Sequence, residues 1–323
     1  MRSKAILALL LAGAIALPWI AEALGTPATT GVATRIAIYA IAAASLNLIL
    51  GYGGLVSLGH AAYFGLGGYT VGILWEHFRL NEPFLGIVPG TAELLITFPA
   101  ALLVGGVSAA IIGALSLRTS GIQFIMITLA FAQMVFFLFV SLAVYGGDDG
   151  LSVRRPNEFF GLNLRDPATI YWLSLGMLVL WLWIMGRIVR SRFGRVLEGI
   201  RQNERRMAAI GVSTYTYKLA AFTIAGMACA GAGALWANYA RFVSPDMMHW
   251  TKSGEFMIMV ILGGIGTLLG PVLGAVALVS LEFTLSGITE HWKLILGPIL
   301  IVIVLFARKG LMSLFGRSGS GNG

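Results

Sequence analysis

The chain has 323 residues, of which 58% are hydrophobic and only 11% charged, with a formal net charge of +8. Soluble domains carry about a quarter charged residues, so this chain cannot cover a water-facing surface of its size, and a bilayer must be the solvent for most of it. The basic residues cluster between apolar runs, which argues against a nucleic-acid surface, and the one cysteine, Cys229, supports neither a disulfide framework nor a thiolate metal cluster.

The first apolar run, 5–24, follows Arg2 and Lys4. Its Ala21-Glu22-Ala23 resembles a signal-peptide cleavage site, but the reading preferred here is a retained first helix with its basic start in the cytoplasm. Further apolar spans fall at about 36–50, 55–75, 93–117, 121–144 and 168–188. After a basic loop come about 218–240, 254–269, 271–286 and 292–307, making about ten spans in all. A helix needs about 20 residues to cross the hydrocarbon, so the last three are short, and half-helices or tilted re-entrant pieces are expected there. The fold class is all-α, a polytopic transmembrane bundle with glycine-rich broken or short helices.

Charge sets the orientation. Seven arginines lie between Arg187 and Arg206, and the positive-inside rule makes that loop cytoplasmic. Counting spans from a cytoplasmic Arg2 and Lys4 brings this loop inside again. Four more spans place Arg308, Lys309 and Arg317 inside as well, so both termini are expected in the cytoplasm. Arg118 falls in an inner loop. Arg154 and Arg155 fall outside, in a loop that also holds Asp148, Asp149, Glu158 and Asp166. No stretch outside the spans is long enough to bury its own core. The expected division is a permease domain over 1–314, with 189–217 as a cytoplasmic loop, and a flexible cytoplasmic tail over 315–323.

Four segments carry information. In 51–70, glycines are dense and Ser57, His60 and Tyr63 are polar among them. Irregular backbone at membrane depth survives only where protein or a water-filled cavity satisfies it. Close helix packing, with Gly68 and Gly72 as a small-residue pair on one face, and lining of a pathway by Ser57 and His60 both remain open. In 191–211, Val196, Leu197, Ile200, Met207 and Ile210 recur at helical spacing opposite Arg195, Glu198, Arg201, Gln202 and Arg205. A short amphipathic helix ended by Gly211 fits. It would lie on anionic headgroups or meet a protein partner, and the mixed signs, with Glu198 and Glu204 among the arginines, favour the protein. In 254–274, Gly266, Gly270 and Gly274 would share a helix face interrupted by Pro271, and no Gly-Lys-Ser/Thr follows to make a phosphate loop. In 145–151, Asp148 and Asp149 lack the spacing of a calcium loop and read as a tight outer turn.

Together these blocks resemble the LivM-type permease of the branched-chain amino-acid family of ABC importers, over nearly the whole length. The resemblance rests on Gly54-Leu-Val-Ser-Leu-Gly-His60, Thr128-Leu-Ala-Phe-Ala-Gln133, Gly146-Gly-Asp-Asp-Gly-Leu151, Arg201-Gln-Asn-Glu204 through Gly211, and Glu255-Phe-Met-Ile-Met-Val260 with Leu262-Gly-Gly-Ile-Gly-Thr267. Gln123 stands where an aromatic is expected and Tyr145 where threonine is. The resemblance implies a transport subunit of the bacterial inner membrane with no catalytic site, metal or cofactor of its own. ATP and Mg would be held by two ATPase subunits. A second, LivH-like permease and a periplasmic solute-binding protein would complete the machine. It adds Gln133 to Ser57, His60 and Tyr63 as pathway-lining candidates. It also makes Arg195, Glu198, Arg201, Glu204, Arg205 and Gly211 the ATPase-coupling candidates. The expected solutes are branched-chain amino acids, with urea, short amides or aromatic acids as alternatives. The rival from another class is an ion-coupled secondary carrier, which would need ionisable residues within the membrane. His60, Glu255 and Glu282 are the few on offer.

Overall fold

A chain this apolar must satisfy its backbone polar groups within each segment, and helices do so. The computed structural model describes residues 15–19, 28–83, 89–154, 157–159, 162–289, 291–292, 294–299 and 310–312. Of the expected first span, residues 15–19 are described; they are helical, and the Trp19 ring lies 5.2 Å from that of Trp172. Of the expected last span, residues 292 and 294–299 are described. The tail 315–323, Arg2, Lys4, Arg155, Arg308, Lys309 and Arg317 lie outside the described residues.

The helices are α1 (Ala28–Asn47), α2 (His60–Leu80), α3 (Leu94–Ser116), α4 (Ile122–Ser141) and α5 (Pro167–Arg190). They continue with α6 (Arg192–Gln202), α7 (Glu204–Ala209), α8 (Thr214–Ala240), α9 (Trp250–Gly263) and α10 (Gly270–Ser286). Five described helical stretches, 28–52, 94–116, 122–141, 167–190 and 214–240, are long and apolar enough to cross a membrane. The chain is a polytopic helical bundle, as its long apolar runs lead one to expect. The 14 residues of α9 and 17 of α10 reach only about 21 and 25 Å at 1.5 Å per residue. These are the short elements expected in this region.

At the centre, α8 packs against α1, α2 and α3. Small residues set the spacing. A Cβ at Gly67 of α2 would stand 1.9 Å from the Ala230 carbonyl oxygen of α8, and one at Gly233 would stand 1.8 Å from that of Phe64. The backbones therefore touch, which is how helices associate where lipid supplies no hydrophobic drive. Gly68 and Gly72 do share a face; it meets Val243, Met247 and Leu151, and at Gly68 also the backbone of Gly233 in α8.

Boundaries differ from the sequence expectation: α1 begins at Ala28 rather than near 36, α9 runs over Trp250–Gly263 rather than 254–269, and two further differences have local causes. First, α2 begins at His60 rather than near residue 55 and runs on to Leu80, because 53–59 are non-helical and Glu76 pairs with Arg79 in the last turn. Asn81, left-handed at φ 56°, closes it. Second, the glycines 266, 270 and 274 do not share one helix. Gly266 sits in a turn at φ 76°, and Pro271 occupies the first turn of α10, where its missing N–H costs no hydrogen bond. Gly263 and Gly274 instead bring α9 and α10 into backbone contact.

The bundle has two ends. One gathers the α3–α4 turn, α6, α7 and residues 53–56 around a shared cavity. The other gathers 142–154, 157–159 and 162–166, where β1 (Leu151–Ser152) pairs antiparallel with β4 (Phe242–Val243) and β2 (Glu158–Phe159) with β3 (Leu162–Asn163). There Gly146, Gly147 and Gly150 all take positive φ, making the tight turn expected at 145–151.

Candidate functional site

The basic loop folds first as α6. Ser191 caps it, its hydroxyl accepting from the Gly194 N–H at 3.5 Å. Gly194, Leu197 and Ile200 turn inward and are buried, while Arg195, Glu198, Arg201 and Gln202 are exposed. This is the amphipathic helix read from the spacing, except that it stops at Asn203. Asn203 adopts extended backbone, and its side-chain oxygen accepts from the Arg206 N–H at 2.9 Å, starting a second helix, α7. Asparagine competes with the helical backbone for hydrogen bonds in this way, so one expected helix becomes two. Met207 is half-buried; Glu204, Arg205 and Ile210 are exposed. Gly211 follows α7 with φ 86°, a conformation that favours glycine.

Two polar links fasten this element to the bundle. The Arg201 guanidinium donates to the carbonyl of Gly51, in the π-helical turn Leu48–Tyr52 that ends α1. Glu204 meets Lys218 of α8 at 2.5 Å, with Lys218 buried and Glu204 half-exposed. A third link lies behind the first. Asn47 donates from Nδ2 to the Thr267 carbonyl at 2.9 Å and accepts from the Gly266 N–H at 3.0 Å. The connection therefore runs from α6 through the end of α1 to the turn joining α9 and α10. A cavity of about 430 Å³ opens beside it, walled by Gly53–Val56, Thr119–Ile122, Arg201–Glu204 and Lys218.

Asn47, Gly51, Lys218 and Thr267 were not singled out from sequence. Lys218 carried the one available signal, a cation opening an apolar run. Its partner is 14 residues away across a turn, a separation no periodicity argument reaches.

The pathway candidates stand elsewhere. His60 is fully buried at the start of α2, with its Nε2 2.8 Å from the Ser45 hydroxyl of α1 and its Nδ1 without a partner. Tyr63 packs edge-on against His60 at 5.8 Å and its hydroxyl is also buried without a partner. Ser57 is buried in the non-helical approach and accepts from the Gly59 N–H at 3.3 Å. Gln133 is half-buried on α4, its amide nitrogen enclosed without a partner. The structure thus joins His60 and Tyr63 in one buried cluster, with Gln133 on a separate helix.

Residues 28–305 match the family described as branched-chain amino acid transport system / permease component. The chain is 28% identical to the high-affinity branched-chain amino acid transport system permease protein LivM of Escherichia coli K12, over 96% of this chain and 75% of that protein. It is 25% identical to the probable branched-chain amino acid transport permease protein LivM of Methanocaldococcus jannaschii, over 86% and 88%. The fructose import permease protein FrcC of Rhizobium meliloti is 27% identical over 46% of this chain and 43% of its own. No solved structure matches.

Proposed function

The chain belongs to the branched-chain amino-acid transport permease family, and from that premise we propose that it is the membrane-spanning permease of an ATP-driven importer for branched-chain amino acids. The solute would arrive on a periplasmic binding protein. A second permease would complete the path, and two ATPase subunits, carrying the ATP and Mg, would dock on α6–α7 from the cytoplasm. The observation that carries this reading is the match along nearly the full chain to LivM proteins at both bacterial and archaeal distance. The fructose permease matches less than half of the chain.

Mechanically, α6–α7 supports the reading as a stiff lever. Its outer face offers Arg195, Glu198 and Arg205 to a partner, while Arg201 and Glu204 face the bundle through the links to Gly51 and Lys218. Closure of the ATPases would move the lever, and the links would pass that motion to α1, α8 and the α9–α10 turn. Alternating access needs such a bistable connection between nucleotide state and helix packing.

The test is co-purification of the chain with its partners, reconstitution in proteoliposomes, and leucine uptake with and without ATP. Uptake that needs ATP and the binding protein is expected. Uptake that collapses with an ionophore and ignores loss of the ATPases would replace this reading with the ion-coupled carrier. A Glu198→Arg, Arg205→Glu variant, which leaves both internal links intact, is expected to weaken ATPase association or uncouple hydrolysis from uptake.

A further inference from the structure

Charged residues inside a membrane bundle face its interior or water, not lipid, and mark solute or ion routes by default. Four such groups meet where α1, α9 and α10 converge. Arg35 of α1 donates from Nη2 to Glu282 Oε2 of α10 at 2.6 Å. Lys252 Nζ of α9 donates to Glu255 Oε2 at 2.6 Å. Both cations converge on one ring, with Arg35 Cζ 5.3 Å and Lys252 Nζ 5.4 Å from the centroid of Tyr39. The ring itself is fixed. It stacks on Trp236 at 5.0 Å and meets Phe64 and Phe256 edge-on.

Depth and access both matter. The stretch Ala28–Tyr52 has 25 residues, about 37 Å at the helical rise. Arg35 lies seven residues in, about 7 Å from its middle and so within a hydrocarbon layer of about 30 Å. Yet the side chains remain open, at 26% for Arg35, 21% for Glu282, 25% for Lys252 and 41% for Glu255. Charges that stay partly open at this depth face water or a neighbouring protein surface, not lipid. The Arg35 Nε–H is buried without a partner, so the guanidinium keeps an unused donor edge.

We propose that Arg35, Lys252, Glu255 and Glu282 form a subsite on the solute route that takes an α-amino acid as its zwitterion. This rests on the function proposed above and adds the groups that would recognise the solute. When the route is empty, the four charges neutralise one another in two pairs, which avoids the cost of unpaired charge at depth. An entering zwitterion exchanges partners: its carboxylate takes the Arg35 and Lys252 donors, and its ammonium takes Glu282 and Glu255. The solute's two charges replace the two pairs that the protein gives up, so the gain is offset by the pairs broken and binding stays weak enough for release. An amine or an acid lacking the other charge leaves two like charges of the protein unpaired.

The test uses the complete reconstituted transporter. Arg35→Gln and Glu282→Gln are each expected to lower leucine uptake by about ten- to a hundredfold, the range for losing a charged hydrogen bond. The Arg35→Glu, Glu282→Arg swap is the decisive variant. It restores an ion pair but not the subsite, so uptake is expected to stay low. Recovery of uptake in the swap would show a merely structural pair and overturn the proposal. In a second arm, Glu255→Cys in a Cys229→Ala background is reacted with a membrane-impermeant thiol reagent. Labelling that leucine slows is expected; no labelling, or labelling that leucine leaves unchanged, overturns the subsite. Failure of the wild-type complex to take up leucine at all would strike at the proposed function instead. The bare labelling rate, which needs no transport, would then still decide whether these residues border water.

Discussion

Single glycines set the distances in this bundle. The Cβ that an alanine would add at Gly67 points into the Ala230 carbonyl, and at Gly233 into that of Phe64. Neither obstacle is the end of a flexible side chain, so the helices themselves must part. Gly67→Ala and Gly233→Ala are each expected to cost about 1–3 kcal/mol, read as a lowered melting temperature of the detergent-solubilised protein. Gly176→Ala, where a Cβ meets nothing within 4 Å, is the control and should melt as wild type. His60 is the other residue with a clear expectation. Ser45 keeps its own bond to the Ala42 carbonyl at 2.7 Å when the imidazole is removed, so His60→Ala leaves no new unpaired hydroxyl. If His60 serves the solute, uptake should fall while assembly persists; a well-expressed variant with normal uptake would make it a packing residue. The sequence could mark 51–70 as dense in glycine. It could not tell which glycines meet a backbone, because Gly67 and Gly68 differ only in which neighbour their face meets.

At the scale of elements, the amphipathic loop helix was legible because its buried positions, Leu197 and Ile200, and its exposed charges follow a helical period. Its break at Asn203 was less so, since capping by asparagine depends on the backbone's leaving the helix there. The links to the bundle were illegible, being formed between residues distant in sequence. Their energetics are asymmetric. Lys218 is buried and Glu204 is half-exposed. Removing the glutamate strands a buried cation, which costs several kcal/mol, whereas removing the lysine leaves a carboxylate that water can solvate. Glu204→Gln is therefore expected to lower the melting temperature more than Lys218→Met does. Equal effects would mean that the pair is looser than its 2.5 Å separation indicates.

For the whole molecule, the ends of the bundle can be assigned to the two sides of the membrane by one chain of contacts and one charge argument. Arg201, Glu204, Gly53, Gly54 and the α3–α4 turn share one cavity and hence one end. Tyr145 lies at the other end, where its hydroxyl is 3.0 Å from His77 Nε2 near the close of α2. The arginine-rich segment must face the cytoplasm if the positive-inside rule holds. Gln202 and Gly121 should then be cytoplasmic, and Val144, which is 82% exposed, should be periplasmic. In a Cys229→Ala background, Val144→Cys is expected to react with an impermeant thiol reagent added outside intact cells. Gln202→Cys should react only after the membrane is opened. The pair is informative because the two positions test opposite ends of one rigid bundle: an inverted protein would exchange the two results. A protein read with the wrong number of spans between them would place both on the same side. Labelling of Gln202→Cys from outside would also remove α6–α7 from reach of any cytoplasmic ATPase, and the lever with it.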